Sequence, residues 1–440
     1  MLLSFPFVPI PPYRANQANR ESPALLSAIL YTCRFELSSV TGDSDKSFRE
    51  YFARQSVVND EKSLDLLQAI LLFLAWDDWQ SVATARDTSL MHLSLGLVGD
   101  LGLNRPPLSQ TVPVGSCSIA NQSNVKIKGF NVRKEHSNAE KRALLGVFYI
   151  TSVLLPTSSV WTLFRRTEPP EYTNYMEQCC NDLTEAREYV TDSIVVALVR
   201  MQSLIVQIAK AFPHPSLRSH VFPTVPLSLY FSTIQFQLKD ILRQVPEAQR
   251  LNYLILSHEH TVLLRLYEPV IHMDSLQSID HSISKTDVLW SCCQEAKTFF
   301  EMWLRLPAGV YSATPCALFA HIAFANLTLT QLLFADDRHW NSQIAREHVD
   351  YPVIVRRLID HIEIYRKQSG QDFGGVEGNF SHPQCYVEKW RYAINWYYAK
   401  LNSKYPASAT IPASETLLPL VGDDDELWQT MFAFENEMMY

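Results

Sequence analysis

Residues 60–79 read DEKSLDLLQAILLFLAWDDW, and how this stretch is interpreted decides the fold. From Leu64 to Trp76 the run is apolar nearly all round a helical wheel. A surface helix keeps one apolar stripe, so this pattern in a soluble chain marks a helix at the centre of a bundle. A membrane span needs about 20 apolar residues in a row. This run is shorter and carries Asp65 and Gln68, so no segment is expected to cross a membrane.

The neighbouring stretches are also helical in pattern. SPALLSAILYTC (22–33) begins with Ser22 as N-cap and Pro23 in the first turn. Ala85, Met91, Leu95 and Val98 precede a stop at Gly102 and Pro106, and AEKRALLGVFYITSVLL (139–155) is ended by Pro156. Ile194, Leu198, Met201, Ile205, Ile208 and Phe212 fall on one helix face. Leu227, Tyr230, Ile234, Leu238, Ile241 and Val245 do nearly the same, and RLNYLILSHEHTVLLRLYEP ends at Pro269. Further helices are expected near 286–305, 315–335, 350–368 and 384–402, the last with Val387, Trp390, Ile394, Tyr397 and Leu401 on its apolar side. Glycine is scarce (13) beside proline (24), and the long runs lack Asn-Gly or Asp-Gly hairpin signals. With no internal repeat, the expected fold is all-α, an irregular multi-helix bundle.

Composition supports a large interior. Of 440 residues 47% are apolar and 19% charged, against about 25% charged in ordinary soluble proteins. The net charge of -8 argues against a chain-wide phosphate-binding surface. The eight cysteines are scattered, and prolines interrupt the N-terminal MLLSFPFVPIPPY where a signal peptide needs an unbroken apolar core. Reduced thiols in an intracellular protein follow as the expectation. The organisation reads as an extended lead-in over 1–22, a helical domain over 23–404 with a polar loop at 104–138, a linker over 405–422 and an acidic-aromatic tail over 423–440. Lys126, Lys128, Arg133 and Lys134 make the second half of the loop mildly basic, which suits a solvated loop and also a weak nuclear-localisation patch.

Catalytic signatures are missing: there is no G-x-S-x-G elbow, phosphate-binding loop or H-E-x-x-H, and no catalytic residue is assigned. Gly96, Gly99 and Gly102 recur inside a helical pattern, without the strand and turn of a dinucleotide fingerprint, and are expected to permit close helix packing. His258 and His260, two apart on a helix, point away from each other and cannot share an ion. One of them is expected on the packed side. The pairs Cys179-Cys180 and Cys292-Cys293 lack the spacing that converges two thiolates on zinc, so buried free thiols are expected and no metal ligand is assigned. The adjacent carboxylates Asp77-Asp78 and Asp336-Asp337 are read as capping or solvated groups at helix ends.

A resemblance adds to this reading. FPFVPIPP, SPALLSAILYTC, EKSLDLLQAILLFLAW and LSLGLVGDLGLNRPP resemble successive blocks of the middle homology region, or fungal-specific transcription factor domain, of the fungal zinc binuclear cluster regulators. EKRALLGVFYITSVL, FRRTEPPEYTNYMEQCCNDL, VVALVRMQSLIVQIAKAF and HTVLLRLYEP are similar to later blocks in the same order, so the likeness runs over about residues 4 to 400. It implies a helical regulatory module in a nuclear regulator of RNA polymerase II genes, many of which control pathways that include secondary metabolism. Coactivators, and homo- or heterodimers with family members, are the implied partners. The tail DDDELWQTMFAFENEMMY then reads as an activation segment whose Leu427, Trp428, Met431, Phe432, Phe434, Met438 and Met439 dock in a coactivator groove. A terminal helix packed back on the domain is the other reading of the tail.

Two departures from the family pattern stand out. The six-cysteine cluster that holds two zinc ions is missing, since no two cysteines sit at C-x-x-C spacing, so zinc and DNA are expected only through a segment not in this chain. LPTSSVWTL (155–163) separates blocks that run close together in the family. Two regulator readings stay open: a DNA-binding factor whose cluster lies upstream, and a co-regulator that works through a partner or a small effector. A small-molecule enzyme is the third, and no nucleophile, metal or cofactor site in the sequence supports it.

Overall fold

The computed structural model describes residues 4–10, 14–33, 43–76, 88–107, 135–154, 170–212, 226–273, 283–338, 340–368 and 382–405. Among them every regular element is helical, which gives the all-α, irregular bundle the sequence pattern predicts. The first helices are α1 (Ala15–Glu21), α2 (Pro23–Cys33), α3 (Asp43–Ala53), α4 (Leu64–Trp76) and α5 (Thr88–Asp100). The middle of the chain forms α6 (Asn138–Leu154), α7 (Asn174–Ala186), α8 (Asp192–Ala211), α9 (Leu227–Gln244) and α10 (Tyr253–Tyr267). The last are α11 (Lys285–Arg305), α12 (Cys316–Phe334), α13 (Ser342–His348), α14 (Tyr351–Gln368) and α15 (His382–Lys404). Residues 108–134 of the polar loop, LPTSSVWTL, Asp77-Asp78, and both the linker from 406 and the tail lie outside the described residues.

Packing is largely sequential: α2 on α4, α4 on α6, α6 on α8, α8 on α10, α10 on α11, and α14 on α15. α12 closes the array by returning to α4, α6 and α10. Cys316 Sγ marks this closure with a 2.9 Å hydrogen bond to the Leu74 carbonyl. The central position of α4 follows from its composition, for Leu66, Leu67 and every residue from Ala69 to Trp76 are buried. Each buried Leu, Ile or Phe contributes about 1.5–3 kcal/mol. On the α8 stripe Ile194, Leu198, Met201, Ile205 and Ile208 are buried, and Phe212 at its end is half-buried. α8 and α12 are long and apolar enough to cross a membrane, yet 67% and 94% of their apolar windows are buried inside the protein.

Several local expectations need correction. The lead-in is not extended through residue 22, because α1 occupies Ala15–Glu21. Ahead of it Phe5 and Phe7 are core residues, Phe7 stacking on Tyr149 with ring centres 4.8 Å apart. Ser22 is not the side chain that caps α2. The Asp65 carboxylate accepts from the N–H groups of Ala24 and Leu25, each at 2.9 Å, and so satisfies two orphan donors from the neighbouring helix. Gly96 and Gly99 of α5, and Gly102 just past its end, do not mediate close packing among the described residues, since a Cβ at any of them meets nothing there within 4 Å. Gly102 instead terminates the helix with φ 72°, as the Leu103 N–H donates to Val98 and the Gly102 N–H to Gly99. The close approach is at Gly146, where a Cβ would lie 3.0 Å from Phe7 Cβ and 3.2 Å from Leu71 Cδ1.

One buried ion pair fixes α6 against α8. Arg142, 1% exposed, donates through Nε to Asp192 Oδ1 at 2.7 Å and through Nη2 to Asp192 Oδ2 at 2.9 Å, and Nη2 also reaches Glu188 at 2.9 Å. Its guanidinium sits 4.6 Å from the centre of the Tyr189 ring. The planar fork matches the carboxylate at two points, which sets both spacing and rotation of the two helices.

Candidate functional site

An open cleft of about 670 Å³ lies where α12 ends, α13 begins and the last turns of α15 pass. α13 is placed by Asn341, whose Oδ1 accepts from the N–H groups of Gln343 at 3.1 Å and Ile344 at 3.2 Å. Arg346 of α13 reaches back to α12, its Nη1 donating to the Leu333 carbonyl at 2.6 Å. The same guanidinium carbon stands 4.4 Å from the centre of the Tyr405 ring and 5.8 Å from that of Phe334. Trp340 spends its indole N–H on the Leu332 carbonyl at 2.7 Å and forms part of the wall together with Tyr397 and Leu401.

Positive charge dominates the cleft. Arg338 is exposed in its lining and Arg346 half-buried, and neither forms an ion pair with a carboxylate among the described residues. Glu347, the acidic residue of the lining, accepts from Gln343 Nε2 at 3.1 Å. Burial pushes the Tyr405 phenol up, but hydrogen bonds to Ser342 and Arg346 and the charges of Lys404 and Arg346 outweigh it and hold its pKa below the ordinary tyrosine value. Burial pushes Tyr397 up to about 12, against the charge of Arg346. The cleft is thus a donor-rich, cationic recess with aromatic walls, suited to holding an anion.

A second polar feature lies inside the bundle, between α10 and α12. His258 and His321 meet edge to face with ring centres 4.4 Å apart, and Tyr149 lies 5.4 Å from His258. The His258 Nδ1–H donates to the Leu254 carbonyl at 2.8 Å, which leaves Nε2 as a lone-pair acceptor without a partner among the described residues. Burial lowers the His258 pKa to about 4 and that of His321 well below its ordinary value, the latter also opposed by the charges of His258 and Arg265. Arg265 is set 3.5 Å from the centre of the Phe324 ring, with Nε and Nη1 closed to solvent and without a hydrogen-bond partner among the described residues. Burial brings its pKa down to about 10.

The histidines of HEH diverge as their spacing predicts. His258 is fully buried, while the half-buried His260 pairs through Nδ1 with Glu295 at 2.9 Å. Cys179, Cys180, Cys292 and Cys293 are buried free thiols. Burial pushes Cys180 and Cys293 up to about 12 and Cys179 up to about 11. The thiolate is the reactive form, so burial disfavours reaction of these thiols in the folded chain. Among the described residues no three His, Cys, Asp or Glu side chains converge as a metal site. Asp337 is tied to Lys285 at 2.5 Å, whereas Asp336 is exposed, 3.7 Å from Lys404.

The tail residues Leu427, Trp428, Met431, Phe432, Phe434, Met438 and Met439 lie outside the described residues, so the structure brings none of them to the cleft or away from it. Sequence reading missed the cleft altogether. Its signal was slight: an Asn341 N-cap followed by Gln343 and Glu347 one turn apart.

The chain is similar to fungal proteins named as transcription factors. It is 27% identical over 314 residues to transcription factor opdL of Penicillium oxalicum, a match covering 70% of this chain and 54% of that protein. It is 24% identical over 425 residues to transcription factor himD of Aspergillus japonicus, covering 95% of this chain and 67% of that protein. The chain thus spans about half the length of the first relative and about two thirds of the second. No protein-family model matches the chain. No solved structure matches it either.

Proposed function

We propose that this chain is the helical regulatory part of a fungal, nuclear regulator of RNA polymerase II genes, and that it is not an enzyme. The observation that carries the reading is the similarity to two fungal transcription factors, one of the matches covering 95% of the chain. The fold is compatible with it: a helical bundle round a continuous apolar core. The finer parts of the proposal come from the sequence. The acidic-aromatic tail acts as the activation segment, with Trp428, Phe432 and Phe434 as principal anchors in a coactivator groove. DNA is reached through a zinc cluster on a segment outside this chain or through a partner that carries one. Control of a biosynthetic pathway, secondary metabolism included, is the proposed setting.

Fusion of residues 1–440 to a heterologous DNA-binding domain tests the proposal in a fungal reporter strain. The expected result is reporter activation that falls at least tenfold when Trp428, Phe432 and Phe434 are all replaced by alanine. Activation unchanged by the triple substitution removes the tail from the mechanism. A fusion that neither activates nor represses defeats the regulator reading.

A further inference from the structure

We propose that the cleft between α12, α13 and α15 binds a small organic carboxylate, its anionic group held by Arg346 and Arg338 and its apolar body resting on Trp340, Tyr397 and Leu401. Volume is the first argument. About 670 Å³ lies within the roughly 300–1,000 Å³ usual for small-ligand sites. Charge is the second. Two guanidiniums face the recess without a carboxylate partner among the described residues, and Glu347 is the acidic residue of the lining. Arg346 spends Nη1 on the Leu333 carbonyl and also bonds Tyr405, so the donors left for a carboxylate are its remaining N–H groups and the exposed fork of Arg338.

The walls decide what the anion is attached to. The Trp340 N–H is already used by Leu332, so its ring offers surface and not a donor. Trp340 and Tyr397 are buried and Leu401 half-buried, so what the recess offers an apolar group is the edges of two rings and one aliphatic side chain within a mainly polar lining. Asn341 uses its Oδ1 as the α13 cap, which leaves its NH₂ available as a further donor. A bare inorganic anion would leave those ring edges and Leu401 wet. A nucleic acid needs a row of cations along its backbone, and two arginines beside a glutamate do not supply one.

As a binding site the cleft stands on its own geometry; as a site for a regulatory ligand it rests on the reading of the chain as a transcription regulator. Calorimetric titration of the full chain with 2-naphthoate, its neutral isostere 2-naphthamide and inorganic phosphate separates the two claims from each other and from the reporter assay. The expected result is one naphthoate per chain, bound at least tenfold tighter than naphthamide and not displaced by an equal concentration of phosphate. Arg338→Gln removes an exposed side chain with no ion-pair partner among the described residues. It is expected to weaken naphthoate about fivefold and naphthamide by less, with thermal stability unchanged. Glu347→Gln is expected to tighten naphthoate. Equal affinity for naphthoate and naphthamide overturns the proposal, as does the absence of saturable heat up to about 10 mM or an Arg338→Gln affinity equal to wild type. Displacement by phosphate overturns the assignment to a carboxylate. None of these outcomes bears on whether the chain activates a reporter.

Discussion

Acidification is expected to destabilise the bundle from its centre, through His258. This imidazole is fully buried between α10 and α12, and burial lowers its pKa to about 4 from the ordinary 6.5. An unfolded chain takes up the proton near pH 6.5 and the folded chain only near pH 4, so over that window the unfolded state binds more protons and stability rises with pH. The contribution is complete above about pH 6.5 and is lost as pH falls towards 4. At 1.36 kcal/mol per pKa unit the gap amounts to about 3 kcal/mol. His321 acts in the same direction, because burial and the charges of His258 and Arg265 also oppose its protonation. Urea unfolding at several pH values between about 5 and 7.5 reads the His258 contribution as a slope approaching about 1.4 kcal/mol per pH unit at the acid end. His258→Asn keeps an N–H for the Leu254 carbonyl and cannot titrate. Its stability drops at every pH because the ring is lost, but its slope near pH 5 is expected to be smaller than that of the wild type by about 1 kcal/mol per pH unit. An unchanged slope in His258→Asn refutes the argument, however large the overall loss.

Other consequences follow from single contacts. Asp192→Ala leaves the 1% exposed Arg142 without its bidentate partner and is expected to cost about 3–5 kcal/mol in urea unfolding. The apolar double replacement Arg142→Met with Asp192→Leu should recover most of that loss. Gly146→Ala drives a Cβ to 3.0 Å from Phe7 and is expected to cost about 1–3 kcal/mol. Gly99→Ala, with nothing among the described residues within 4 Å of the new atom, should stabilise by about 0.5–1 kcal/mol. Asp65→Ala removes both caps of α2 and should cost about 1–2 kcal/mol, seen first as faster hydrogen exchange at Ala24 and Leu25. Site-resolved alkylation at pH 8 should leave Cys179, Cys180, Cys292 and Cys293 unmodified until urea is added, and fast labelling in the folded chain would contradict their burial.

The helices that could be read in advance were those whose apolar residues repeat over several turns. α8, α9, α10 and α12 each announce themselves by spacing or by unbroken apolarity, because burial of a whole face leaves a periodic trace in the residues that make it. Short or polar helices leave no such trace. α1 has seven residues and no apolar stripe, and α13 is equally short, so neither stands out from the loops around it. Asp65 shows a different limit. In sequence it is a polar interruption that argues against a membrane span, and in space it is the cap of a helix about 40 positions earlier. The spacing of Gly96, Gly99 and Gly102 misleads for a related reason, since a small-residue pattern states what could approach and not what does. Gly146, which has no such pattern, is where backbone and side chain meet.

The candidate site was illegible because it is made of ends. Arg346 touches the carbonyl that terminates α12 and the ring of Tyr405, 59 positions further along the chain, and neither partner can be inferred from the local sequence of α13. The His258–His321 contact likewise joins two helices with α11 between them in sequence. A histidine two residues from another histidine invites comparison with its neighbour, whereas its partner is set by the packing of α10 on α12. Helix faces are encoded locally because each residue's neighbours at three and four positions share its environment. Helix ends are not, because their unsatisfied carbonyls and amides accept whatever donor or acceptor the packing brings to them. A cationic recess built from such ends is therefore a property of the assembled bundle, and substituting Arg338 or Glu347 changes its charge without touching the periodicity that folds it.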